Sequence, residues 1–306
     1  MTANRQQKIS VVHTLAYAAP AFAPAVVGIP EPLTRTICKG GFNMNWPSIF
    51  QVIGVNLLIV NAFFVLIWAL SVLKKDASIV DIFWGMGFIL VAAVSVYFGD
   101  GWTGRSVLVL LLTLVWGLRL SIHILIRNWG KGEDFRYQKF RNNAGDKFWI
   151  TSLYNVFLLQ AMLLLIIAFP IMFVGSAPFP RHIVWTDLLG TALWMTGFIF
   201  EALGDLQLKR FLAEPENRGQ VMKYGLWRYT RHPNYFGETL IWWGIFCITP
   251  SAPHGWMTII GPILITFMLL KVSGVTMLEE DLKGRREGYA EYVRNTSAFI
   301  PWFPKR

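Results

Sequence analysis

A carboxylate inside an apolar run is costly, and is normally kept there for a partner or a cavity. Glu201 stands in such a run, with Asp205 and Lys209 following at four-residue intervals, so all three share one helix face. Glu238 stands in another run, four residues after Asn234. That spacing presents a carboxylate and an amide side by side, a set suited to hydrogen-bonding hydroxyls or a carboxamide. Arg119 and His123 repeat the spacing in a third run. Asp81 opens a fourth, within Asp81-Ile82-Phe83-Trp84-Gly85. It fits a helix cap beside an interfacial aromatic belt as well as it fits a lone acid in an apolar pocket. Lys271, near the end of its run, is long enough to snorkel.

The densest signal is the stretch from Gly225 to Glu238, Gly-Leu-Trp-Arg-Tyr-Thr-Arg-His-Pro-Asn-Tyr-Phe-Gly-Glu. Pro233 biases His232 away from helix and is itself welcome in the first turn of the next one. The free amides of that turn, with Arg231 and His232 beside them, suit a phosphate or another anion. Tyr229 and Tyr235 can stack on a ring or reach the same phosphate. A juxtamembrane basic cluster on anionic lipid is the alternative. A second constellation closes the chain: Glu279-Glu280-Asp281, then Tyr289-Ala290-Glu291-Tyr292, then Phe299-Ile300-Pro301-Trp302-Phe303-Pro304. The acids oppose the basic bias of their surroundings, which fits pairing with the basic loops or binding a ligand's hydroxyls.

The elements that must position these groups are membrane helices. Of 306 residues, 54% are hydrophobic and only 15% charged, against roughly 25% charged in a soluble domain. Seven runs approach the ~20 residues a straight crossing needs: about 49–72, 79–98, 106–126, 150–174, 183–204, 235–250 and 255–275. The sixth is short, as expected of a tilted or broken helix packed on protein. The charge of +10 follows this layout. Twenty of the 28 Lys and Arg fall in 73–78, 127–149, 205–234 and beyond 275, whereas the opposite connections hold only Arg105 and Arg181. The positive-inside rule makes the richer side, and the C-terminus, cytoplasmic.

Several classes drop out. Fourteen Trp, 23 Phe and 9 Tyr exclude low-complexity disorder. Two cysteines, Cys38 and Cys247, make neither a disulfide framework nor a cysteine-rich metal site, and no metal is expected. A nucleic-acid binder would gather its positive charge on a solvated face, not between apolar runs. Residues 1–48 read as an N-terminal extension ahead of a membrane domain over 49–306. A signal-like leader, with Arg5 and Lys8 before an apolar stretch broken by Pro20 and Pro24, is the other reading.

Taken together, Gly225 to Glu238, the acidic and Tyr289 to Tyr292 tail, Ile300-Pro301-Trp302-Phe303 and Asp81 to Gly85 resemble the family of steroid 5-alpha-reductases and sterol reductases, in its bacterial branch. The resemblance covers roughly 50–306. The same superfamily holds isoprenylcysteine-type methyltransferases, which share the Arg-His-Pro core and bind S-adenosylmethionine. Asn234, Phe236, Trp242-Trp243 and the seven runs favour the reductases. A lipid-binding membrane protein without catalysis is a third reading.

The resemblance implies an all-α bundle of about seven transmembrane helices in a bacterial inner membrane or endoplasmic reticulum, with NADPH as cofactor. Its substrate would be a carbon–carbon double bond in an apolar lipid or sterol-like molecule. On matching positions, Asp205, Asn234 and Glu238 would meet the nicotinamide-ribose end. Lys209, Arg231, His232, Tyr235, Tyr289 and Tyr292 would serve phosphate and adenosine, with Tyr229, Glu279 and Glu280 also near the cofactor. Where the animal enzymes carry a carbonyl-polarising tyrosine three residues before an arginine, this chain has Trp116 before Arg119. An indole donates only weakly. Asp81, Glu201 and Trp116 are therefore the candidate catalytic groups.

Overall fold

The computed structural model describes residues 45–177, 180–272, 275, 279 and 288–305. The N-terminal extension therefore lies outside the described residues up to position 44, as do Glu280 and Asp281. Among the described residues the regular structure is entirely helical. In chain order the elements are α1 (Trp46–Lys74), α2 (Ile79–Ile82), α3 (Trp84–Phe98), α4 (Gly104–Asn128), α5 (Phe135–Ala144), α6 (Phe148–Ser152), α7 (Leu159–Ile167), α8 (Phe169–Ser176), α9 (Trp185–Ala213), α10 (Pro233–Ile248), α11 (Ile260–Phe267) and α12 (Tyr289–Asn295).

Four helical stretches among the described residues are long and apolar enough to cross a membrane: Trp46–Lys74, Gly104–Asn128, Phe135–Ile167 and Gly255–Val272. Two runs that read as single spans are interrupted. The second breaks at Phe83, between α2 and α3. The fourth passes through a π-helical turn, Leu153–Leu158, and breaks again at Ala168. Pro170 explains that second break, because its ring clashes with the preceding turn and it offers no amide to the helical ladder.

Local chemistry sets the starts of the helices that carry the site. Thr103 caps α4 by a reciprocal box, accepting from the Ser106 amide at 3.1 Å while Ser106 Oγ accepts from the Thr103 amide at 2.9 Å. Asp187, in the first turn of α9, accepts from the Val184 amide at 2.8 Å. Pro233 is the first residue of α10, and His232 before it has φ −139° and ψ 63°, outside the helical region.

Polar contacts then fix how α4 and α9 lie. Arg105 pairs with Asp187, Arg119 with Glu201, and His123 approaches Asp205. Each partner is 82 residues further along the chain, so the two helices run parallel and in register. Against α9, α10 runs antiparallel along a ladder of glycines. A Cβ placed on Gly197 would lie 2.5 Å from the Gly237 carbonyl oxygen, and one on Gly237 only 2.4 Å from the Glu201 amide. Gly190 and Gly244 meet the same way at the other end, 2.5 Å by that measure. Small residues at such a seam let helix backbones touch within a bilayer. The centre of the bundle is aromatic: Phe88, Trp116 and Trp242 are buried, with ring centroids 4.5 Å (Phe88–Trp242), 5.5 Å (Phe88–Trp116) and 5.3 Å (Trp116–Trp242) apart.

Candidate functional site

The parallel register of α4 with α9 and the glycine seam of α9 with α10 bring seven side chains to one place. Trp116 Nε1 donates to Glu201 Oε2 at 2.9 Å. The Arg119 guanidinium spans Glu201 Oε1 and Asp205 Oδ2. His123 Nε2 lies 3.6 Å from that Asp205 oxygen. Asn234, in the first turn of α10, donates through Nδ2 to Asp205 Oδ1 at 3.1 Å. Its own Oδ1 is buried and has no hydrogen-bond partner among the described residues. Glu238, one turn further along α10, is half-buried and makes no hydrogen bond or ion pair among the described residues. Two carboxylates thus hold one guanidinium, with Glu238 unpaired beside them, and two acceptors are left over. A buried acceptor without a donor costs about 1–3 kcal/mol, and the cluster has the spare capacity to accept from N–H or O–H groups.

A second cluster lies where the loop before α10 meets the chain's tail. Arg231 gives Nε and Nη2 to Glu279 Oε1, each at 2.8 Å. Its Nη1 donates to the carbonyls of Val293, at 3.0 Å, and Thr296, at 2.6 Å. His232 Nε2 lies 3.2 Å from Glu279 Oε1, and its ring stacks on Tyr235 with centroids 5.5 Å apart. Burial acts to raise the Glu279 carboxyl, but hydrogen bonds from His232 and Arg231 and the Arg231 charge outweigh it and hold the group at about 2. Tyr289 and Tyr292 are buried here. Burial pushes the Tyr289 phenol up to about 12, and Tyr292 donates its hydroxyl to the Trp227 carbonyl. Trp227 Nε1 in turn donates to the Gly204 carbonyl at 3.0 Å. The basic pair expected to be anion ligands is therefore occupied with an internal carboxylate, and Tyr292 braces the loop. Tyr229 lies at the surface, its ring edge-on to Phe303, and Lys209 is exposed.

Asp81 belongs to neither cluster's bonding. It accepts from Tyr137 Oη at 2.6 Å and from Arg136 Nη2 at 2.8 Å, which ties α5 to α2. Gln160 Nε2 donates to the same Tyr137 oxygen at 3.2 Å and accepts from Trp84 Nε1. Of the three candidate catalytic groups, Glu201 and Trp116 are hydrogen-bonded to each other and Asp81 to a separate set.

Some of these partners leave little trace in the sequence. Arg136 and Tyr137 as partners of Asp81 carry no local signature. Arg105, by its position one of two cations on the sparse side, is buried against Asp187. The glycine seam does leave a signal: Gly190, Gly197 and Gly204 are seven apart, as are Gly237 and Gly244.

Residues 67–296 match the family described as protein of unknown function (DUF1295), and the chain belongs to that family. An uncharacterized protein of Schizosaccharomyces pombe is 29% identical over 206 residues, 58% of this chain and 58% of the relative. A 3-oxo-5-alpha-steroid 4-dehydrogenase 1 of Bos taurus is 26% identical over 115 residues, 38% of this chain and 41% of the relative. The chain thus spans about half the length of these curated relatives. No solved structure gives a significant match. The resemblance to the steroid 5-alpha-reductase-like proteins, drawn from the motifs, is borne out at this level.

Proposed function

We propose that this member of the family is an NADPH-dependent oxidoreductase that reduces a carbon–carbon double bond of an apolar lipid or steroid-like molecule within the membrane. The observation that carries the reading is the surplus of acceptors between α9 and α10, the buried Asn234 Oδ1 and the partnerless Glu238. A nicotinamide carboxamide and ribose hydroxyls are donors that need such acceptors, so the residues fit that end of NADPH. When bound, NADPH would supply the hydride to one carbon of the double bond, and a proton drawn from water would complete its neighbour.

The chain's own groups have distinct tasks in this reading. Trp116 and Arg119 hold the two Glu201 oxygens, so Trp116 is a positioning residue for Glu201 and its one N–H is already engaged. Arg119 and Asn234 hold Asp205 in the same way. Asn234 Oδ1 and Glu238 remain to orient the cofactor. Lys209, one turn beyond Asp205 and exposed, offers a positive charge to phosphate at the loop. Arg231 and His232 keep the loop closed through Glu279. Phe88, Trp116 and Trp242 are buried and keep water from the centre, which strengthens the electrostatic interactions there and limits side reactions. Distant similarity to a protein named as a 3-oxo-steroid 4-dehydrogenase supports the reaction class. Seven crossings with a cytoplasmic C-terminus, and cofactor entry from that side, complete the proposal. They rest on the distribution of Lys and Arg.

Titration of purified protein with NADPH and with S-adenosylmethionine is the deciding experiment. Tight binding of NADPH, followed by its oxidation with an enone lipid, is the expected result. Tight binding of the methyl donor alone would overturn the reading in favour of a methyltransferase. Binding of neither would favour a non-catalytic lipid protein.

A further inference from the structure

The tail after α12 is held tightly by its backbone while it turns large apolar side chains outward. Thr230 Oγ1 donates to the Phe299 carbonyl at 2.8 Å, the Arg231 amide to the Ser297 carbonyl at 2.9 Å, and the Trp302 amide to the Tyr229 carbonyl at 2.9 Å. The Lys305 amide closes the loop on the Asn295 carbonyl at 2.9 Å. Phe299 packs inward, edge-on to Phe236. Yet Ile300, Trp302 and Phe303 are 65%, 71% and 78% exposed. Ordering a loop so that it shows three such side chains to water brings no hydrophobic gain, and exposed apolar patches of this kind mark contact surfaces. Arg228, Arg294 and Lys305 are exposed on the segments that these bonds tie together, and none makes an ion pair among the described residues.

Aromatic rings mixed with unpaired cations are the composition that seats a surface at the headgroup level of an anionic membrane. A protein partner's apolar patch would leave the cations unmatched, and a second copy of the chain would oppose like charges. We propose that the loop 299–305 is an interfacial foot, with Ile300, Trp302 and Phe303 inserted at the acyl–headgroup boundary and Arg228, Arg294 and Lys305 on anionic phospholipid headgroups. The foot shares its backbone bonds with Tyr229, Thr230 and Arg231, so the leaflet would brace the loop that leads into α10. This goes beyond the proposed reaction and stands whether or not NADPH is the ligand.

The test uses full-length protein with Cys38 and Cys247 replaced by serine and a nitroxide attached at F303C. It is reconstituted in nanodiscs of phosphatidylcholine alone and of phosphatidylcholine with phosphatidylglycerol. The expected result is a label several-fold more accessible to oxygen than to a water-soluble nickel complex, and deeper in the discs that contain phosphatidylglycerol. In a background carrying R228Q, R294Q and K305Q the dependence on phosphatidylglycerol should vanish while the fold is kept. A label equally open to the nickel complex in both discs would overturn the proposal, as would a depth indifferent to phosphatidylglycerol. Spin–spin broadening between labels would do the same and point instead to a second copy. A label at I300C, on the same exposed face of the loop, gives the same readout should F303C fail to reconstitute.

Discussion

The same two helices, α4 and α9, hold two ionic clusters fourteen residues apart, about 21 Å along the axis at 1.5 Å per residue. They have opposite characters. Arg105 and Asp187 are 2% and 0% exposed and match one cation with one carboxylate. Arg105 Nε reaches both Asp187 oxygens at 2.9 and 3.1 Å, its Nη2 donates to Ser251 Oγ at 2.6 Å and to the Ile248 carbonyl, and Asp187 also accepts from the Val184 amide. Around Arg119 one cation meets Glu201 and Asp205, with Glu238 beside them, and Asn234 Oδ1 is left without a donor. A buried pair that satisfies itself ties helices together. A cluster with surplus acceptors is costly until something else binds, which is the physical mark of a site. The contrast teaches that an intramembrane charge is diagnostic only after its partners have been counted.

The comparison can be broken at either end. Asp187→Ala leaves Arg105 buried and unpaired, and should cost about 3–5 kcal/mol, read as loss of folded protein in detergent. Replacing both partners by apolar residues, as in Arg105→Met with Asp187→Leu, should restore most of it. If the double variant is no better than the single one, the pair does more than tie helices.

Gly237→Ala should come next, with a cost of about 1–3 kcal/mol from overpacking at the seam. It should also weaken NADPH binding, because the added carbon meets the Glu201 backbone that both clusters share through α9. Asn234→Ala and Glu238→Ala should do the reverse of Asp187→Ala. Glu238→Ala should leave thermal unfolding nearly unchanged, Asn234→Ala should cost only about 1 kcal/mol for the lost bond to Asp205, and each should weaken NADPH binding about tenfold, the order of one hydrogen bond. Unfolding of these two variants, like that of Asp187→Ala, would erase the distinction between the clusters.

The smallest effect concerns the tail. Glu279 is held at about 2, below its ordinary 4.5. A depressed carboxyl contributes stability that is fully present above the unfolded value and is lost as pH falls through the folded one. The brace should therefore weaken between about pH 4.5 and 2. Glu279→Gln should flatten that acid limb by lowering stability at neutral pH by the same amount, followed as loss of folded protein in detergent against pH.

Much of this was legible in the residues themselves. Asn234 with Glu238 and Glu201 with Asp205 announced shared faces, because four residues is close to one helical turn. Pro233 announced where α10 begins. Glu279 as the partner of Arg231 was foreshadowed by acids placed against the basic bias of their side, although nothing local distinguished internal pairing from phosphate binding. Asp81 was more opaque. Its partners Arg136 and Tyr137 come from 55 and 56 residues away, and no periodicity links them.

The sequence by itself determined the solvent, the helical class and the candidate faces, since apolar runs and turn-length spacing are properties of a single segment. It also determined the family, since those motifs lie in order along one chain. Only the tertiary structure decided which polar groups were already satisfied. Whether Arg231 is free for an anion, or Asn234 Oδ1 lacks a donor, depends on atoms brought together by a parallel register and a glycine seam. Hydrogen bonding is short-ranged and saturable, so its balance can be drawn only once the helices have met.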